Sequence, residues 1–60
     1  MELNKILQQG IDALKECRFQ EAERLYQKIL QTQPTHPYAN HNLGITLYTL
    51  GIQTLNKIFI

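Results

Sequence analysis

A chain of 60 residues is one small domain that can bury only about 60% of the surface its unfolded form exposes, which excludes a multi-domain enzyme. With 43% hydrophobic and 18% charged residues, and six basic against five acidic side chains, it fits neither a disordered acidic tail nor a basic nucleic-acid arm. Ten of the eleven charges fall between Glu2 and Lys28 and only Lys57 follows, so residues 29 to 56 carry no formal charge and are expected to pack on something outside this chain.

Leu3, Leu7, Gly10 and Leu14, with Ile6 and Ala13 beside them, set one apolar stripe and predict a first helix over 3–16. Phe19, Ala22, Leu25, Tyr26, Ile29 and Leu30 begin a stripe of new phase, which predicts a second helix over 19–32. Glu21 and Glu23 near its start and Lys28 toward its end complement the helix dipole, and Glu21 is spaced to pair with Arg24. Pro34 and Pro37 push the residue before each of them out of helical geometry, so this helix ends before Gln33. Thr35 or His36 is expected to cap a third helix that accepts Pro37 in its first turn.

Ala39, Leu43, Leu47 and Leu50 form the expected stripe of that third helix, and Ile45 and Tyr48 lie off it, widening the apolar surface. Gly51 is expected to end the helix. Ile52, Leu55, Ile58 and Phe59 keep helical spacing and suggest a short separate segment, which is marginal unless it docks. The fold class is therefore all-α: antiparallel helical hairpins, three helices plus a short C-terminal segment, in one domain over 1–60.

Laid on itself at a shift of 34 residues, the chain places Gly10 over Gly44 and Ile11 over Ile45. Gly10, Phe19, Ala22, Tyr26 and Pro34, followed by Ala39, Asn42, Leu43, Gly44 and Gly51, stand in a pattern that resembles the tetratricopeptide repeat, a helix-turn-helix unit. The likeness covers most of the chain, as a complete unit over 3–36 and a truncated second over 37–60. It implies that Gly10 and Gly44 let a paired helix approach closely, that Ala22 does so from the facing side, and that Phe19 and Tyr26 fill the space between hairpins. Pro34 would stop the second helix so that the next unit can begin. The second unit departs from the pattern at Asn56, where the family has alanine.

The resemblance also implies a groove lined by the first helices of successive hairpins. Carried over residue by residue, it would be lined by Asn4, Leu7, Gln8, Ile11, Leu14 and Lys15 from the first unit and by Tyr38, His41, Asn42, Ile45, Tyr48 and Thr49 from the second. Asn42 stands where an asparagine of the family often hydrogen-bonds the backbone of a bound peptide. Leu7 and Ile11 occupy the positions at which some relatives clamp a terminal carboxylate with lysine and asparagine, so an apolar segment is the expected ligand.

Little else in the sequence carries chemistry. Cys17 has only Lys15 and Arg18 near it and no histidine base, so it reads as a small turn residue. His36 and His41 do not share a helical face and have no cysteine or carboxylate close by, which argues against a metal site. The chain contains no serine, and its glycines lie in or at the ends of helices rather than in a phosphate-cradling loop. Basic and acidic residues interleave without a stripe, so no nucleic-acid partner is expected. No apolar run is long enough to span a membrane, and the uncharged part lacks the basic face of a surface helix.

The expected function is a non-enzymatic protein–protein interaction module with no catalytic, cofactor or metal site. Its partner would be a protein or peptide, a second copy, or further repeats of a longer chain. Two other readings are a self-associating structural repeat and the N-terminal repeat portion of a larger bacterial transferase, similar to glycosyltransferases, with catalysis downstream. A single cysteine and no signal peptide point to a reducing compartment, the cytoplasm.

Overall fold

The computed structural model describes residues 2–59 and the side chains of residues 2–58. Three α-helices follow one another: α1 (Glu2–Lys15), α2 (Phe19–Thr32) and α3 (Pro37–Phe59). No strand occurs among the described residues, and the fold is all-α. α2 is the middle element: α1 packs along it on one side and α3 on the other, while α1 and α3 barely meet.

The first corner is closed by backbone hydrogen bonds. The Cys17 N–H donates to the Leu14 carbonyl at 3.1 Å and the Arg18 N–H to the Ala13 carbonyl at 2.8 Å, with Cys17 in the left-handed region at φ 61°. That pairing satisfies carbonyls the end of α1 would otherwise leave open, at a position where glycine is the usual occupant. The Arg18 guanidinium then bridges Glu16 at 2.9 Å and Glu21 at 2.6 Å. Glu21 is thus held by Arg18, the residue before α2, rather than by the expected Arg24.

At the second corner the Gln33 N–H donates to the Ile29 carbonyl at 2.8 Å, and α2 ends at Thr32 as expected. His36, not Thr35, caps α3: its Nδ1 accepts from the Ala39 N–H at 3.1 Å. Asn40 closes the corner from the far side by donating through Nδ2 to the Pro34 carbonyl at 3.1 Å and to the His36 carbonyl at 2.9 Å.

Ala13, Ala22, Tyr26, Ile29 and Ala39 form the fully buried core, with Leu3, Ile6, Leu7, Leu14, Leu25, Leu30 and Leu43 packed against it. Small residues at positions 10, 13 and 22 bring α1 and α2 close, and Tyr26 fills the space over Gly10. Burying Ile29 contributes about 1.5–3 kcal/mol.

Three expectations about the second half are corrected. α3 does not stop at Gly51: it runs unbroken through the segment expected to stand apart, and no glycine of the chain has positive φ. A lone glycine inside a helix costs only about 1 kcal/mol relative to alanine, and without a proline or a helix folding back the backbone simply continues. The docked stripe passes through Thr46 rather than Leu47, which is exposed. Thr46 meets the requirement for a buried polar group because its hydroxyl donates to the Asn42 carbonyl at 2.7 Å. Finally, nothing approaches Gly44 within 4 Å of a Cβ position, so this glycine does not serve close packing as Gly10 does.

Antiparallel packing leaves α3 longer than its support. Its 23 residues extend about 34 Å, against about 21 Å for the 14 residues of α2. Leu50 and Gln53 lie beside the α1–α2 corner, and every residue from 51 to 58 is exposed. The molecule is accordingly elongated, at 43 × 21 × 13 Å.

Candidate functional site

α1 and α2 each present one apolar face, and that face is spent on the core. α3 differs, because its apolar residues occur around most of its circumference: Ala39, Leu43 and Leu50 face α2, while the large hydrophobics Tyr38, Ile45, Leu47, Tyr48, Ile52, Leu55 and Ile58 are exposed. All the large hydrophobic side chains that stand exposed among the described residues belong to this one helix.

The residues expected to line a groove divide into two sets. Leu7 and Leu14 are half-buried against the core, Ile11 is half-buried, and Asn4, Gln8 and Lys15 are exposed on α1. On α3, Tyr38, His41, Ile45 and Tyr48 are exposed, and Asn42 and Thr49 are half-buried. The Thr49 hydroxyl is occupied within its own helix, donating to the Ile45 carbonyl at 2.9 Å. The Tyr38 ring leans toward His36, with centroids 6.3 Å apart and planes tilted by 55°.

Tyr26 lies where the two sets approach each other. Its ring rests on Gly10 of α1, and Asn42 of α3 reaches its hydroxyl side. Burial pushes the phenol pKa up, and the Asn42 side chain offsets this in part. The approach of Asn42 falls short of full hydrogen-bond geometry, so the buried Tyr26 hydroxyl has no partner among the described residues. Asn42 therefore faces partly inward, toward Tyr26, and is less free to meet a peptide than its place in the sequence suggests.

A depression of about 400 Å³ lies at the other end of α2, lined by Cys17, Phe19, Glu21, Arg24, Leu50 and Gln53 among others. None of the groove candidates lines it. Sequence reasoning missed it because it exists only where the α1–α2 corner meets α3 some 30 residues later, a juxtaposition that no local pattern encodes. Among the described residues no group of three or more His, Cys, Asp or Glu gathers where it could hold a metal, and no helix is long and apolar enough to cross a membrane.

Compared with known proteins, the chain matches no family model, no curated protein and no solved structure.

Proposed function

We propose that this chain is a non-enzymatic protein-binding module of the tetratricopeptide kind, taking an apolar peptide or helix against the exposed face of α3. One observation carries the reading: the large exposed hydrophobics are concentrated on a single helix, and they include Ile45 and Tyr48. A free water-facing helix gains nothing from such residues, whereas a docking surface gains from each of them. The repeat assignment is supported by the 34-residue correspondence of Gly10 with Gly44 and by the packing of Tyr26 on Gly10.

Selection of displayed random peptides on the immobilised chain tests this function. Apolar helix-forming peptides should be enriched, and Ile45→Glu or Tyr48→Glu should abolish their capture while Lys28→Glu leaves it intact. Failure to enrich any peptide, or capture indifferent to both α3 substitutions, would overturn it.

A further inference from the structure

We infer that the occupant of this exposed face is a second copy of the chain, paired antiparallel through α3 about a two-fold axis. The inference rests on the reading of α3 as a protein-binding surface and names what binds there. Ile45, Tyr48, Ile52 and Leu55 follow one another at spacings of three, four and three residues, the repeat that keeps a seam straight along a pair of helices. All four are exposed, at 46%, 72%, 40% and 54%. At 100° per residue the seam lies roughly 140° around the helix from buried Thr46, so the hairpin beneath does not obstruct it.

Its spacing is self-complementary. Two copies running in opposite directions, centred on residue 50, set Ile45 against Leu55 and Tyr48 against Ile52, and each contact recurs in reverse across the axis. This is the signature of an isologous interface.

Charge favours the same occupant and the same direction. The uncharged run from residue 29 to residue 56 offers no group that would steer or select a charged partner, and an equally uncharged seam is its closest match. Direction follows from the helix dipoles, which oppose each other in an antiparallel pair and align in a parallel one. Taking roughly 200 Å² for a fully exposed large apolar side chain, the four seam residues leave on the order of 420 Å² open per copy. Two copies thus bring together roughly 850 Å², a small interface of the size that goes with a weak pair forming reversibly as concentration rises.

Sedimentation equilibrium from micromolar to millimolar concentration tests the pairing, with circular dichroism confirming that each variant keeps its helix content. The chain should pass reversibly from monomer to dimer. Tyr48→Glu and Ile52→Glu should each weaken association by at least about tenfold, because they bury a charge in the seam, and Leu47→Glu on the opposite flank should leave it unchanged. Mixed chains carrying Cys17→Gly with either Ile45→Cys or Leu55→Cys should form the mixed disulfide on oxidation. Ready self-linking of Ile52→Cys with no mixed product would overturn the antiparallel register. A dimer indifferent to both seam charges would overturn the interface. A folded monomer at every concentration that still captures displayed peptides would assign the face to a foreign helix and overturn the second copy alone, whereas loss of both would overturn the binding reading as well.

Discussion

The Tyr26 ring sits so close to Gly10 that a Cβ on residue 10 would stand 2.8 Å from the ring. No flexible chain end can yield there, since Tyr26 is fully buried between α1 and α3. Gly10→Ala should therefore destabilise the fold by about 1–3 kcal/mol despite alanine's better helix propensity. Gly44→Ala, 34 residues on and with nothing within 4 Å, should instead stabilise by up to about 1 kcal/mol. Chemical denaturation of the pair gives the sign of each. Equal losses would mean that α3 is covered at Gly44 much as α1 is at Gly10.

Tyr26 also carries a buried hydroxyl with no partner among the described residues. Tyr26→Phe should leave stability unchanged or raise it by as much as about 1 kcal/mol, since it removes a desolvated group without removing a hydrogen bond. Its pH signature is separable. Burial raises the folded pKa above the unfolded value of about 10, so the tyrosine's contribution is complete below about pH 10 and is lost as pH climbs through the folded pKa. Stability profiles of the wild type and Tyr26→Phe should run parallel from neutral pH to about pH 10 and diverge above it, with the wild type falling faster. Parallel profiles there would contradict the burial of the phenol.

Cys17 occupies a left-handed corner at φ 61°, where a side chain is strained and glycine is not. Cys17→Gly should raise stability by about 0.5–1 kcal/mol, the relieved strain exceeding the extra flexibility of the unfolded chain. Cys17→Ala should not. Thermal unfolding of the two variants side by side distinguishes relief of backbone strain from simple loss of the thiol.

His36 caps α3 through Nδ1, and this bond sets where the helix begins. His36→Ala should cost about 1 kcal/mol, and His36→Asp or His36→Asn, whose side-chain oxygens reach the same N–H, should restore most of it. Denaturant midpoints measured at one pH provide the comparison.

How legible the fold was in the sequence depended on how many apolar faces each helix carries. α1 and α2 have one apiece, so their periodicity gave their positions to within a residue. α3 has more than one, and periodicity alone cannot choose which docks; the structure selects the stripe through Thr46, whose polarity is concealed by a bond to its own helix. Apolarity therefore favoured Leu47, which the fold leaves in water. The exposed positions of Ile45 and Tyr48 could be read in advance because they lay off the stripe of Ala39, Leu43 and Leu50. The continuity of α3 through Gly51 could not, since a glycine followed by apolar residues reads equally as a corner or as a helix interior.

The unequal lengths of α2 and α3 make α3 one rod in geometry but two regions in resistance to solvent exchange. Its first half shares the fate of the core, and its amides should exchange with deuterium only when α2 is also lost. The second half, exposed from residue 51 to residue 58, has only its own hydrogen bonds to hold it and should exchange by fraying, first at the C-terminal end. Slower exchange confined to that half as protein concentration rises would record, amide by amide, how far along α3 a second copy reaches.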